Sequence, residues 1–421
     1  MNFLIANEVY LRYQKVRTFT ALLCQPLQAE DFVIQTMADI SPTKWHLAHT
    51  TWFFEQFILS KFLDAYRPFH PQYNYLFNSY YNSIGVRHCR AKRGQLSRPT
   101  VKEVYKFRQH VDEHMEKLLR RLDDGRMFEL LPFLELGMHH EQQHQELLLT
   151  DIKHVFACNP LHPVYSSGKV LPAENFIAEL QWIDFGEGLY TIGHRGGGFG
   201  YDNEFPSHQV FLKPFRIASR LTTNREYLDF IKDGGYQRPE FWLSDGWGLR
   251  QREDRIAPLY WDNSDGAWLN MTLNGFLPLD PSTPVCHVSF YEANAYACWA
   301  GKRLLTEAEW EVAAANQPVA GNFVESHFFH PVNLHRDSGQ QLQQMFGDVW
   351  EWTASPYVGY PGYRPAKGAL GEYNGKFMIN QMVLRGGSCV TSQSHIRPTY
   401  RNFFAPQTRW QFSGIRLGDD V

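Results

Sequence analysis

The spacing of apolar residues changes near residue 158, and this change limits the possible folds more than any other feature of the chain. Before it, apolar residues recur every three or four positions, as in residues 7–23 and 128–156, which is the spacing of amphipathic helices. Another helical stretch follows Ser41 and Pro42, a helix start with serine as the cap, and one more begins near Pro99. Residues 1–158 therefore predict a four-helix bundle.

The chain after residue 158 follows a different pattern. Residues 159–180 contain several prolines and a Ser-Ser-Gly run without a sustained period, and they predict a linker. Beyond it lie ten of the 12 tryptophans, frequent glycines and only two clearly helical stretches, 289–300 and 306–315. We therefore predict a multidomain protein of α and α+β type, in which the bundle is followed by a linker and by an irregular α+β domain over residues 181–421.

Charge and cysteine usage exclude several classes of function. The formal net charge is −3, so no overall basic field attracts nucleic acid or an acidic membrane surface. No uncharged apolar stretch reaches the length of about 18 residues that a membrane span needs, and the N-terminus has no signal-peptide pattern. The 6 cysteines are scattered without a Cys-x-x-Cys pair, which argues against a disulfide framework. These features predict a soluble protein of the reducing cytoplasm.

A histidine pair in the fourth helical stretch is the sharpest chemical signal. His140 and His144 are four residues apart, so both imidazoles project from one helix face and can share a metal ion. Asp151 falls close to that face, whereas Glu146 lies roughly 200° around the helix from His144 and is excluded as a ligand. A third ligand should come from another helix, where His49 lies on the apolar face; taken alone, such a histidine is more often a hydrogen-bonded core residue. This pattern by itself leaves zinc and iron equally credible.

Two N-terminal motifs, LAHTTWFFEQF and HHEQQHQE, closely resemble the metal-binding bundle of the ergothioneine-pathway sulfoxide synthases. Members of that family are non-haem iron enzymes that join a thiol to hercynine, the trimethylated betaine of histidine. The C-terminal part resembles the formylglycine-generating-enzyme fold, which is related to C-type lectins, in the motifs PVCHVSFYEANAYACWAGKRLLTEAEWEVAA, GDVWEWTASPY, VLRGGSC and FSGIRL. Formylglycine-generating enzymes depend on a pair of cysteines, whereas here Cys389 stands alone and no later cysteine follows it. That activity is therefore not expected.

The resemblance implies roles for particular residues. It implies that iron(II) is held by His49, His140 and His144. The stretch LFNSYYNSIGVRHCR resembles the subtype with its catalytic tyrosine in the N-terminal half, and it matches that residue to Tyr80, with Tyr81 beside it. The remaining matches are substrate contacts: Arg87 and Arg90 for the carboxylate of the thiol, Gln143 and Asn402 for the histidine-derived substrate, and Phe403 and Phe404 for the pocket floor.

The reaction that this resemblance implies is a dioxygen-dependent joining of cysteine to hercynine, with iron(II) as the cofactor and neither nucleic acid nor membrane as a partner. Phe403 and Phe404 favour free cysteine over γ-glutamylcysteine, because another subtype has polar residues there. The sequence leaves four alternatives open: C–Se bond formation from a selenium donor, an ovothiol-type synthase using unmethylated histidine, a zinc-dependent thiol transferase, and a non-catalytic sugar- or peptide-binding module. It also leaves open the oligomeric state and which of Tyr80 and Tyr81 donates the proton.

Overall fold

The computed structural model describes residues 2–122, 124–168, 177–334 and 341–421. The chain divides into two compact units, of which the first comprises Met1–Pro160 with Ala366–Tyr373, and the second comprises Leu161–Pro365 with Asn374–Val421. Of the predicted linker 159–180, residues 169–176 lie outside the described residues. No helix in the described ranges combines the length and the apolar character needed to cross a membrane.

The first unit is helical, as predicted. Its helices are α1 Asn2–Cys24, α2 Thr43–Phe54, α3 Tyr73–Phe77, α4 Val101–Leu119 and α5 Asp124–Cys158. A π-helical turn, Glu55–Leu59, and a last α-helical turn, Ser60–Phe62, extend α2. Helix α2 packs against α4 and α5, and α1 packs against the same two helices. The arrangement of these four long helices as a bundle stays a prediction.

Helices α2 and α4 begin in different ways. Thr100 caps α4, since its hydroxyl accepts the Glu103 amide while the Glu103 carboxylate accepts the Thr100 amide at 2.7 Å. The expectation that Ser41 caps α2 is wrong, because no side chain caps that helix start. The Ser41 hydroxyl instead accepts a hydrogen bond from Arg93 at 2.8 Å, and the Ser41 amide donates to Asp151 at 2.8 Å. The segment before α2 is thereby tied to α5.

The second unit combines short helices and short strands, in agreement with the predicted α+β class. Its helices are α6 Asn224–Lys232, α7 Ser244–Arg252, α8 Phe290–Trp299 and α9 Glu307–Ala314. Helices α8 and α9 coincide with the two predicted stretches, whereas α6 and α7 lie where the sequence analysis predicts no helix. Capping boxes at Thr223, Ser289 and Thr306 satisfy the first amides of α6, α8 and α9.

The strands of the second unit form two four-stranded sheets, a three-stranded sheet and a hairpin. The sheet orders are β1-β4-β13-β8, β11-β10-β9-β12, β5-β6-β7 and β2-β3. In the β11-β10-β9-β12 sheet, β12 runs parallel to β9 and the other pairs are antiparallel. The strands are β1 Trp182–Phe185, β2 Gly188–Ile192, β3 His208–Leu212, β4 Phe215–Ala218, β5 Trp261–Asp262, β6 Leu269–Thr272, β7 Gly275–Pro278, β8 Arg303–Leu304, β9 Trp350–Pro356, β10 Met382–Arg385, β11 Asn402–Phe404, β12 Ser413–Gly414 and β13 Leu417–Asp420.

The motifs GDVWEWT and VLRGGSC supply charged residues to the core of the second unit. Glu351 of β9 accepts a hydrogen bond from the indole of Trp310 at 2.7 Å. Arg385 of β10 pairs with Glu311 at 2.7 Å and with Glu307 at 3.2 Å. Because a buried charge without a partner is costly, these pairs fix α9 against β9 and β10.

Candidate metal centre

The three histidines predicted as ligands converge within the first unit. His49 comes from α2, and His140 and His144 come from successive turns of α5. One nitrogen of each ring lies within 4.8 Å of those of the other two, and Nε2 of His49 is 3.1 Å from Nε2 of His140. Their relative exposures are 0%, 2% and 9%. Among the described residues this is the one such group of potential ligands, and Glu146 is not part of it.

Burial decides the charge of these imidazoles. It lowers the pKa of His140 to about 3 and holds the pKa values of His49 and His144 well below the ordinary value of 6.5. All three rings are therefore neutral at pH 7, and each offers a lone pair. Lone pairs that face one another at 3.1 Å repel unless a proton or a cation lies between them. Three neutral imidazoles suit a transition metal such as zinc or iron better than magnesium or calcium, which prefer oxygen.

Hydrogen bonds at Nδ1 determine which nitrogen His49 and His144 present to the centre. His49 donates from Nδ1 to the carbonyl of Phe77 at 2.6 Å. Nδ1 of His144 lies 2.8 Å from Nδ1 of His46. Nδ1 of His140 is buried and has no hydrogen-bond partner in the part of the chain that the structure describes. Nε2 of His49 and of His144 is thus the nitrogen available to a metal ion, and in His140 it is Nε2 that faces Nε2 of His49 at 3.1 Å.

Aromatic rings and a cation surround the His49 side of the centre. Trp45 stacks on His49 with ring centroids 4.5 Å apart and 13° between the planes, and Trp52 stacks on it at 5.6 Å and 18°. The guanidinium carbon of Arg93 lies 3.3 Å from the centre of a Trp45 ring, which is a cation–π contact. Arg93 is buried, and burial lowers its pKa. This side of the centre is therefore shielded from solvent, and a buried guanidinium lies one ring away from the predicted ligand His49.

The two arginines predicted to hold a substrate carboxylate are exposed in the first unit. Arg87 donates to the carbonyl of Ser79 at 2.6 Å, and Arg90 donates to the carbonyl of Asp39. Both therefore bond to backbone oxygens, and the arginine that turns inward is Arg93, which sequence reasoning missed. The basic run from residue 87 to residue 93 does not itself show which of its arginines is buried.

Tyr80 and Tyr81 lie beside the aromatic rings that pack on His49. Their ring centroids are 4.6 Å apart and their hydroxyl oxygens are 3.5 Å apart. Tyr81 is fully buried, with its ring 5.8 Å from that of Trp52 and 5.1 Å from that of Phe57. Tyr80 is only partly buried. The two adjacent tyrosines thus differ in their access to solvent.

Tyr373 is a residue of this region that sequence reasoning missed. Its hydroxyl donates to Oε1 of Gln143, one of the predicted substrate contacts. Its ring centroid lies 5.8 Å from that of His140 and 6.0 Å from that of Tyr80. Tyr373 belongs to the segment Ala366–Tyr373 that folds with the first unit, and nothing in its local sequence indicates this return.

Glu372, next to Tyr373, fixes the segment to the loop that follows Tyr81. Its carboxylate accepts the amide of Asn82 at 2.8 Å, and both the amide and the hydroxyl of Ser83 at 2.9 Å and 2.6 Å. Hydrogen bonds to an ionised carboxylate are stronger than those between neutral groups. Glu372 therefore holds the tyrosine-bearing loop in place.

The remaining predicted substrate contacts, Asn402, Phe403 and Phe404, form strand β11 of the second unit. Phe403 stacks on Tyr357 with centroids 4.0 Å apart and 9° between the planes. Oδ1 of Asn402 accepts the amide of Phe403 at 2.9 Å. All three side chains are partly exposed, so the core of that unit does not enclose them.

The C-terminal part matches a known family model over residues 178–421, that of the Sulfatase-modifying factor enzyme 1-like domain. A formylglycine-generating enzyme from Streptomyces coelicolor is 29% identical over 284 residues, which are 56% of this chain and 87% of the relative. Fold and site thus define a class of protein in which a helical unit with a buried three-histidine centre accompanies a domain of this family.

Relatives that match both parts of the chain place it more closely. A hercynine oxygenase from Mycolicibacterium smegmatis is 36% identical over 313 residues, 68% of this chain and 71% of the relative. A hercynine oxygenase from Mycolicibacterium thermoresistibile is 31% identical over 410 residues, 91% of this chain and 88% of the relative. The chain belongs to the hercynine oxygenase family, and the predicted family and enzyme class are confirmed.

Proposed function

We propose that this protein joins the sulfur of cysteine to the imidazole of hercynine in an iron(II)- and dioxygen-dependent reaction of ergothioneine biosynthesis. The observation that carries the proposal is the buried triad of neutral histidines in a chain similar over 91% of its length to a protein named hercynine oxygenase. A relative from Schizosaccharomyces pombe, 28% identical over 52% of this chain and 27% of its own length, is named Ergothioneine biosynthesis protein 1. These names favour hercynine as the imidazole substrate.

The proposed reaction balances with dioxygen as the sole oxidant. A C–S bond forms, and the S–H bond of cysteine and one C–H bond of the hercynine imidazole break. One oxygen atom becomes the oxygen of the sulfoxide. The other leaves as water with the two released hydrogens. The thiol and imidazole carbon are together oxidised by the four electrons that dioxygen takes up.

The proposed cofactor is iron(II), held by Nε2 of His49, His140 and His144. When bound, iron(II) supplies the redox chemistry for dioxygen and lowers the pKa of a coordinated thiol. Two features of the chain favour an oxygen-using metal over zinc. The chain belongs to an oxygenase family, and tyrosine hydroxyls lie within the same unit as the triad.

The side chains around the triad are proposed to bind and orient the substrates. Gln143 presents an amide oxygen on the same helix as two ligands, and Tyr373 fixes that amide by donating to its Oε1. Arg87 and Arg90 are proposed to hold the carboxylate of cysteine, which matches a guanidinium in shape and charge. Both are exposed, so each can exchange its hydrogen bond to a backbone carbonyl for one to a ligand. Asn402, Phe403 and Phe404 are proposed substrate contacts on the strength of the family match.

Tyr80 is proposed as the proton donor, with Tyr81 as its support. The Tyr80 hydroxyl is 3.5 Å from that of Tyr81, and the partial exposure of Tyr80 lets it regain a proton from water. The burial of Tyr81 removes that route from its own hydroxyl. Delivery of a proton from Tyr80 steers the reaction towards the C–S bond and away from oxidation of cysteine to its sulfinate.

A product assay tests the proposal. Protein freed of metal is loaded anaerobically with iron(II), mixed with hercynine and cysteine and exposed to oxygen, and the products are identified by mass spectrometry. We expect the joined sulfoxide, and none of it without oxygen, with zinc in place of iron, or in His140→Gln. His114→Gln serves as the matched control, because His114 lies on α4 and outside the triad. Iron-loaded protein that yields no joined product contradicts the proposal, and a product formed only from unmethylated histidine or a selenium donor replaces it.

A further inference from the structure

A row of hydrogen-bonded side chains leads away from His144 into the first unit. Nδ1 of His144 lies 2.8 Å from Nδ1 of His46, and Nε2 of His46 lies 3.0 Å from Oδ2 of Asp151. His46 and Asp151 are buried, with exposures of 3% and 5%. Oδ2 of Asp151 also accepts the amide of Ser41 at 2.8 Å. The row thus begins at a candidate metal ligand and ends at a buried carboxylate.

The chemistry of imidazole allows only one order of protons along this row when a metal is bound. His144 then offers the lone pair of Nε2, so its Nδ1 carries the proton and donates to His46. Nδ1 of His46 must accept, so the proton of His46 is on Nε2 and is donated to Asp151. Every hydrogen bond points towards the carboxylate. The tautomer that a bound metal ion requires of His144 is therefore the one that Asp151 favours through His46, two hydrogen bonds away.

Within the described part of the chain, the other two histidines of the triad show no such support. Nδ1 of His49 donates to a neutral backbone carbonyl, that of Phe77. Nδ1 of His140 has no hydrogen-bond partner among the described residues. A carboxylate that accepts from the far side of a ligating histidine raises the basicity of that ligand and fixes the ring. The three rings therefore differ in donor strength although they are chemically identical.

We propose that His46 and Asp151 are positioning residues that make His144 the strongest of the three metal ligands. The inference rests on the metal-binding part of the proposed function, and it does not depend on the substrates. Loss of a residue that hydrogen-bonds to the far side of a ligating histidine weakens metal binding by about 10- to 100-fold in comparable sites. His46 transmits the effect, because it joins the carboxylate of Asp151 to His144 through its two ring nitrogens.

The test measures iron(II) affinity by anaerobic competition with a chelator, together with the visible ligand-field spectrum of cobalt(II)-loaded protein. We expect Asp151→Asn and His46→Leu each to weaken iron(II) binding by about ten-fold or more and to shift the cobalt(II) bands. Because Asp151 acts through His46, the double variant should bind iron(II) no more weakly than His46→Leu alone. His114→Gln, which alters a histidine on α4 whose Nδ1 lies 2.7 Å from the carbonyl of His110, should behave as wild type.

The outcomes separate this inference from the proposed function. Wild-type affinity and spectrum in Asp151→Asn would overturn it, as would losses that simply add in the double variant. His46→Leu carries the test alone if Asp151→Asn does not fold, which thermal unfolding followed by circular dichroism shows. Wild-type protein that binds no iron(II) would contradict the proposed function, whereas wild-type binding with unaffected variants contradicts only the role of this row.

Discussion

Glu141 is buried on the side of α5 next to the ligand face, and its replacement by glutamine tests how that helix is held. Its carboxylate pairs with Arg17 of α1 at 2.8 Å and with Arg108 of α4. Burial alone would raise the pKa of Glu141, but Arg108 and Arg17 outweigh it and hold the pKa at about 2, against an ordinary 4.5. At about 1.4 kcal/mol for each pKa unit, the ionised carboxylate contributes about 3 kcal/mol to the free energy of unfolding at pH 7. Glu141→Gln should lose that contribution.

The pH dependence has a definite sign. The folded pKa of Glu141 lies below the unfolded value, so its contribution is complete above about pH 4.5 and disappears as the pH falls towards 2. The gap in unfolding free energy between wild type and Glu141→Gln should therefore shrink to about half near pH 3.

Urea unfolding followed at 222 nm, where the long helices of the first unit dominate, measures both quantities. Glu116→Gln is the control, since Glu116 and Arg120 form an exposed pair worth less than about 1 kcal/mol. A Glu141→Gln variant as stable as this control, or a gap that stays constant with pH, would refute the reasoning.

Three further predictions concern catalysis. Tyr80→Phe should shift the products from the joined sulfoxide towards cysteine sulfinate, and Tyr81→Phe should do so less; an unchanged ratio by mass spectrometry removes Tyr80 from the mechanism. Arg90→Met should raise the KM for cysteine by about ten-fold or more, which corresponds to the loss of a charged hydrogen bond. The thermal unfolding midpoint should stay unchanged, because the side chain is exposed. An unchanged KM would mean that another residue binds the carboxylate of cysteine. Glu372→Ala should speed hydrogen exchange at the amides of residues 82 and 83, which donate to the Glu372 carboxylate, and should lower kcat. Unaltered exchange would show that other contacts hold the loop.

The placement of His140 and His144 on one face of α5 could be predicted because helix geometry is local. A spacing of four residues places His140 and His144 on successive turns whatever surrounds them, and the same rule excludes Glu146 and brings Asp151 near. Helix α2 could be predicted to supply the third histidine, because His49 lies on the apolar face of that helical stretch. What the sequence did not reveal is the hydrogen bonding at Nδ1, which depends on where neighbouring segments run.

Residues that approach from distant segments could not be predicted by the same reasoning. Tyr373 lies more than two hundred residues beyond Gln143, to which it donates, and only the return of its segment to the first unit brings them together. Arg93 differs from Arg87 and Arg90 in burial, although all three lie in one basic run. The run indicates positive charge, but the inward turn depends on the ring of Trp45 and on the hydroxyls that receive the guanidinium.

Neighbouring faces of α5 explain how the triad can be assembled before a metal arrives. Glu141 ties α5 to α1 and α4 through Arg17 and Arg108, while the adjacent His140 meets His49 of α2 at 3.1 Å. The ion pairs do not involve the ligand nitrogens, so they hold α5 in register whether or not the centre is filled. Binding then requires little rearrangement of the helices, because the ion pairs already hold α5 against α1 and α4. Removal of the metal should accordingly leave the helix content of the first unit almost unchanged, whereas Glu141→Gln should lower both its stability and its affinity for iron(II).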